Sequence, residues 1–300
     1  MGRRHATALE TVFVVVPEAA LEAYEAALAS ACTTIGFFLD EDRGLWRVEG
    51  VKETGAGEAE LATALTLAAA ATGLAPELRR EPTAAEGWLS RTLEAFPEQR
   101  VGRRFAIRGT HLPTARAHGR ITLVLDAAVA FGSGEHGSTR GCLRALERVA
   151  WRQPARVLDM GTGSGILAMA AASLLRRPVL ATDIDPWAVR TAVANTRRNG
   201  IGRAVTCITA NGWRHRALRR HAGQDLIFAN ILARPLCLMA REMALHLRPG
   251  ATAILAGLLA SQSRWVLAAY RRQGLRLEFA LQEGPWTTLV LRAPNESGRS

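Results

Sequence analysis

The chain contains a single lysine, Lys52, so nearly every positive charge is an arginine. A bias of that kind follows overall composition rather than design for phosphate contacts. Cysteine is scarce as well: Cys32, Cys142, Cys207 and Cys237 are scattered, with no C-x-x-C pair and no clustered histidines. That spacing excludes a disulfide framework and a zinc site, and predicts free thiols. Long apolar runs are missing too. Leu61–Ala71 is too short and too alanine-rich to span a bilayer. No apolar stretch beside Arg3–Arg4 resembles a signal peptide, so a soluble, cytoplasmic protein without membrane partners is expected. There is no repeat of fixed period and no low-complexity tract. Nor is there a stripe of interleaved aromatic and basic residues. Its absence argues against stable nucleic-acid binding, despite a net charge of +11.

What is present points to two domains. The 300 residues are 48% hydrophobic, enough for real cores. Residues 1–100 carry nine Lys+Arg against sixteen Asp+Glu, a net −7, whereas residues 101–300 carry a net +18. Within 1–80, Thr11–Val16 reads as a strand and Pro17 opens a helix with Leu21, Tyr24 and Leu28 on one face. Thr33–Leu39 and Leu45–Val51 read as strands, and Glu58–Thr72 as a helix closed by Gly73. Strand, helix, strand, strand, helix is the order of a ferredoxin-like split unit. Residues 81–120 read as a linker interrupted by Pro82, Pro97 and Pro113, with one short helix over Ala85–Phe96. Residues 121–300 are the second domain. Strands are predicted near 156–160, 179–183, 204–209, 225–230 and 251–256, and helices over 165–175, 186–199, 213–221, 233–246 and 261–273. This alternation implies a parallel sheet with right-handed crossovers. Leu275–Leu281 and Trp286–Arg292, joined by a tight turn at Gln282–Pro285, must pair antiparallel.

Four segments carry chemistry. In Val157–Gly165 an apolar strand runs into D-x-G-x-G-x-G and then a helix. Gly161 and Gly163 permit a tight turn and close approach of a ligand, and Asp159 places a carboxylate near a zwitterionic or cationic one. A dinucleotide fold favours G-x-G-x-x-G instead, and the spacing here is the one associated with S-adenosylmethionine. Asp183 closes the next strand, 22 positions after Gly161, where it can accept from both ribose hydroxyls or cap a helix. Asp185, just before Pro186, reads better as the cap. Asn230 ends the strand Asp225–Asn230. Its amide carbonyl can accept from an amine and orient the lone pair, or it caps the following helix. The loop Ala130–Thr139 enters a helix and can fold over a ligand, with Phe131 against it, Thr139 hydrogen-bonded to it, and His136 as a proton acceptor or an ordinary loop histidine.

Five parallel strands with a terminal hairpin form the layout of the seven-stranded class I methyltransferase (Rossmann-like) fold, an α/β architecture. A nicotinamide-binding sheet continues instead with helical crossovers, which counts against an oxidoreductase. The segments AFGSGEHGST, VLDMGTGSGILA, ATDIDPWAV, ANILARPL and LAGLLASQ closely resemble the ribosomal protein L-eleven methyltransferase family (PrmA), continuously from about Ala130 to Gln262. Ser133 and Ser138 stand where that family's loop has threonines, and both keep a hydroxyl. The resemblance implies a ferredoxin-like recognition domain, a linker and a methyltransferase domain acting without metal on lysine side-chain and N-terminal amines of a large-subunit ribosomal protein. It implies S-adenosyl-L-methionine as cofactor, contacted by Thr139, Gly161, Asp183 and Asn230, to which the glycine-loop reading adds Gly163. Asn230 is expected to be catalytic and the enzyme a monomer. Methylation of another protein lysine or of a small amine is the alternative.

Overall fold

The computed structural model describes residues 9–32, 34–40, 43–82, 98–110, 112, 119–125, 137–220 and 223–295. The predicted helix over 85–96 and the loop carrying Phe131 and His136 lie outside the described residues. The chain divides into two units, residues 1–91 and 92–300.

The smaller unit runs β1 (Leu9–Pro17), α1 (Leu21–Ala29), β2 (Thr34–Asp40), β3 (Leu45–Glu53), α2 (Glu58–Thr72) and β4 (Arg79–Pro82). Its sheet has the order β2-β3-β1-β4 with every pair antiparallel, the ferredoxin-like arrangement. Alternation along the strands sends one face inward: Val12, Val14 and Val16 of β1 lie opposite Gly50, Val48 and Trp46 of β3. Leu21, Tyr24 and Leu28 of α1 are buried, as their helical spacing requires. Gly73 ends α2 in the left-handed conformation, at φ +70°. On the inward face the last pair is charged: Glu10 lies opposite Lys52, whose side chain is only 1% exposed. Lys52 Nζ donates to Glu10 Oε1 at 2.9 Å, to Glu58 Oε1 at 2.6 Å and to the Glu53 carbonyl at 3.2 Å. Arg80 of β4 donates to both carboxylates, at 3.3 Å to Glu10 and 2.6 Å to Glu58. β4 was not expected from sequence. Its four residues are all exposed, so it has no apolar alternation to read.

The larger unit begins earlier than the sequence suggested. β5 (Gln99–Val101), β6 (Phe105–Gly109) and β7 (Ile121–Leu125) form a three-stranded sheet, with β6 and β7 parallel. Val101, Phe105 and Ile107, assigned to the linker by the sequence reading, are fully buried in the same core as α3 (Gly137–Val149) and α4 (Ile166–Leu175). Glu147 of α3 accepts from the backbone N–H groups of Arg103 and Arg104, at 3.1 and 2.7 Å. Between α3 and α4 runs β8 (Val157–Met160). The chain continues β9 (Val179–Asp183), α5 (Pro186–Arg198), β10 (Val205–Thr209), α6 (Arg216–Arg220), β11 (Gln224–Asn230), α7 (Ala233–Leu238), α8 (Ala240–His246), β12 (Leu247–Leu259), α9 (Ser263–Arg271), β13 (Arg276–Glu283) and β14 (Trp286–Arg292). The single helix expected over 233–246 is two, because Met239 leaves helical geometry at φ −93°, ψ 2°.

The main sheet has seven strands in the order β10-β9-β8-β11-β12-β14-β13. β8 to β12 are parallel, and β14 is antiparallel to both β12 and β13. Both faces are covered. Leu226 and Phe228 of β11 face the core that contains α3 and α4, whereas Ile227 and Ala229 face the one that contains Leu236, Met243 and Tyr270. Strands buried on both sides are why these segments read as continuous apolar runs. The chain leaves β8 for β9 and β10 on one side and returns to β11 on the other. The crevice between β8 and β11 is therefore the topological switch point, where ligands bind in such sheets.

Candidate functional site

The carboxyl ends of β8, β9 and β11 bring together the glycine loop, Asp183 and Asn230. Gly161, Gly163 and Gly165 all have positive φ, +71°, +52° and +82°, so the loop needs residues without a Cβ. It is stapled at both ends. The Thr182 carbonyl accepts from the N–H of Gly161 at 2.8 Å and of Thr162 at 2.9 Å. The Asp183 carboxylate accepts from Gly163 N–H at 2.9 Å and, on its other oxygen, from Asp185 N–H at 3.0 Å. Asp183 thus holds the loop, and each oxygen keeps a second lone pair for a further donor. Asp185 caps α5, accepting from Trp187 N–H at 2.8 Å.

Asp159 lies under the loop, 1% exposed. Its Oδ2 accepts the Thr162 hydroxyl at 2.6 Å and the Ala168 N–H at 3.0 Å, capping the first turn of α4. Its Oδ1 is buried and has no hydrogen-bond partner among the described residues. Burial pushes the Asp159 carboxyl up to about 6, against the pull of the Thr162 hydroxyl and Ala168 N–H, with Asp183 adding repulsion. A buried carboxylate with one oxygen unmatched, beneath a cradle of left-handed glycines, suits a ligand bearing positive charge, as S-adenosylmethionine does. The residues present fit that cofactor.

Asn230 stands one strand over from the glycine loop: its neighbour Ala229 pairs with Met160. Its Nδ2 donates to the Thr139 hydroxyl at 3.3 Å, across 91 positions of sequence. With the amide nitrogen so engaged, the carbonyl oxygen is the end left for a substrate donor. Thr139 itself is fully buried in the first turn of α3. All five residues expected at the site, Thr139, Gly161, Gly163, Asp183 and Asn230, therefore lie on elements that converge at this edge.

Other contributors were not legible in sequence. Ile231, which follows Asn230, is gripped between two glycines. A Cβ on Gly161 would collide with the Ile231 side chain, and one on Gly257 would lie 2.5 Å from the Ile231 carbonyl oxygen. Gly257, at φ +79°, sits at the register shift in β12. Asn199 bonds both backbone groups of Val124 in β7, accepting at 2.8 Å and donating at 2.7 Å. Before Gly200 it reads only as a helix terminator. A cavity of about 420 Å³ lies elsewhere among the described residues, against Arg271, Gly274 and Arg276.

Comparison with known proteins identifies the family. The family model described as ribosomal protein L11 methyltransferase (PrmA) matches residues 41–294. The ribosomal protein L11 methyltransferase of Rhizobium leguminosarum bv. trifolii (strain WSM2304) is 41% identical over 257 residues, 85% of this chain and 87% of the relative. That of Rhizobium meliloti (strain 1021) is 46% identical over 215 residues, 71% of this chain and 74% of the relative. Among solved structures, the ribosomal protein L11 methylase from Lactobacillus delbrueckii subsp. bulgaricus superposes with a TM-score of 0.59 at 28% identity, covering 66% of this chain and 99% of that one. With the switch-point site, the seven-stranded order and relatives matched over most of their length, the chain belongs to the ribosomal protein L11 methyltransferase (PrmA) family.

Proposed function

We propose that this protein transfers methyl groups from S-adenosylmethionine to lysine side-chain and N-terminal amines of ribosomal protein L11, in the cytoplasm. The observation that carries the reading is the Asn230 amide, turned by Thr139 so that its carbonyl oxygen can accept from an amine beside the glycine loop. The glycine loop, Asp159 and Asp183 would hold the cofactor, and Thr139 would support it from α3. Bound there, the cofactor supplies an electrophilic methyl group. The chain's own part is alignment and exclusion of water. A lysine amine near its ordinary pKa of about 10.4 is almost wholly charged at neutral pH and must arrive neutral. Partial desolvation at the mouth of the site would favour that form. Asn230 would accept a hydrogen bond from that amine and turn the amine's lone pair toward the methyl group. The acidic smaller unit would capture the basic protein substrate, a complementarity that raises the association rate and weakens with salt.

The test is mass spectrometry of purified protein L11 after incubation with this enzyme and S-adenosylmethionine. Stepwise methyl additions on lysine and N-terminal amines are expected. Unmodified L11, with methyl transfer to another protein or a small amine in a parallel incubation with cell extract, would overturn the substrate assignment.

A further inference from the structure

The terminal hairpin does more than finish the sheet: it grips the helix that carries Thr139. Glu283, the last residue of β13, meets two arginines one turn apart on α3, Arg144 through Oε1 and Arg140 through Oε2 at 3.6 Å. Two glycines at the same helical spacing bring the backbones together. A Cβ on Gly137 would lie 2.6 Å from the Glu283 carbonyl oxygen and 2.8 Å from the Trp286 ring, and one on Gly141 would collide with the Thr288 hydroxyl. Residues 137 and 141 form one row of the helix and 140 and 144 the next. The glycine row sets how closely the helix approaches the hairpin, and the arginine row sets its rotation. Thr139 lies in the same turn, and its hydroxyl receives the Asn230 amide.

We propose that Glu283 is a positioning residue for methyl transfer, holding α3 through Arg140 and Arg144 so that Thr139 orients Asn230. The inference rests on the reading of Asn230 as the acceptor of the substrate amine. The arginines are 34% and 40% exposed although Glu283 is only 15% exposed, so these half-exposed ion pairs contribute modestly to folding. The far side of α3 is anchored regardless, with Cys142, Leu143, Leu146 and Val149 in the core. Turnover is more sensitive than stability, because a small misplacement of an aligning group is enough to slow it.

The experiment uses the full-length enzyme and four variants: Glu283→Gln, Glu283→Asp, Asn230→Ala and the Glu283→Gln/Asn230→Ala double variant. Steady-state kcat, KM for protein L11 and calorimetric affinity for S-adenosylmethionine are measured for each. Glu283→Gln is expected to lower kcat about tenfold with KM within twofold and an unchanged melting temperature, and Glu283→Asp to recover most of the rate. In the Asn230→Ala background, Glu283→Gln should cost no more than twofold further, because both act through one amide. An unchanged kcat for Glu283→Gln, or the same tenfold loss on top of Asn230→Ala, overturns the inference. Asn230→Ala at full turnover overturns the reading of Asn230 beneath it, whatever Glu283→Gln does.

Discussion

The two units bury charge in opposite ways. In the smaller one, the three hydrogens of the Lys52 ammonium meet Glu10, Glu58 and the Glu53 carbonyl, and Arg80 closes the ring from β4. Every donor on that lysine is answered from within the protein. In the larger one, Asp159 is as deeply buried, yet only Oδ2 is answered and Oδ1 has no partner among the described residues. A closed network tells of stability, and an open one beside a glycine loop tells of a ligand. The comparison also explains the shifts: partners hold the Glu10 carboxyl below its usual range, led by the Lys52 hydrogen bond, whereas burial drives Asp159 upward.

The sharpest way to break this division is to remove the smaller unit. A chain beginning at residue 92 should bind S-adenosylmethionine as the whole protein does and lose methylation of L11 altogether, read by calorimetry and a labelled-methyl assay. Full-rate methylation by that chain would end the recognition role proposed for the acidic unit. Next in size is Lys52→Ala. Leaving Glu10 short of its buried partner should cost about 3 kcal/mol. Unfolding should show a destabilised smaller unit while cofactor affinity stays put. A matching loss of affinity would mean that the units are not independent.

Asp183→Ala tests the other side. It removes a carboxylate that holds Gly163 and is proposed to hold the ribose, so affinity should fall by about 2 kcal/mol. Unchanged affinity would reduce Asp183 to a staple of the loop. The smallest effect is a pH dependence. A cationic ligand favours ionised Asp159, so with a free-state value of about 6 the cofactor should bind about tenfold more weakly at pH 5 than at pH 7. Asp159→Asn should flatten that profile. The sign for folding is opposite. A carboxyl raised by burial binds its proton more tightly folded than unfolded, so its contribution is complete below the unfolded value near 3.9 and is lost as pH rises through about 6. Ligand-free protein that gained stability across that window through Asp159 would contradict the assignment.

Much of this architecture could be read from local pattern. The βα alternation after residue 156 was visible because each buried strand is an apolar run closed by a polar or glycine-rich turn, and Gly161, Gly163 and Asp183 were visible because their spacing is set by one strand and one turn. β4 to β7 were not. Arg79–Pro82 is a strand only because β1 offers it an edge, and Gln99–Val101 is three residues long. Glu283, at the end of β13, gave no hint in sequence of two arginines about 140 positions away.

Sequence by itself determined most strands and helices of residues 9–72 and after residue 156, that a glycine loop follows β8, and that the chain's charge is divided between its ends. Those properties depend on neighbours within a turn or two, where hydrophobic period and backbone freedom act directly. Only the tertiary structure decided that Asn230 turns its nitrogen to Thr139, that Ile231 is clamped by Gly161 and Gly257, and that one Asp159 oxygen is unanswered among the described residues. Such contacts join residues far apart in the chain, and their geometry exists only once the sheet has brought its strand ends to one edge.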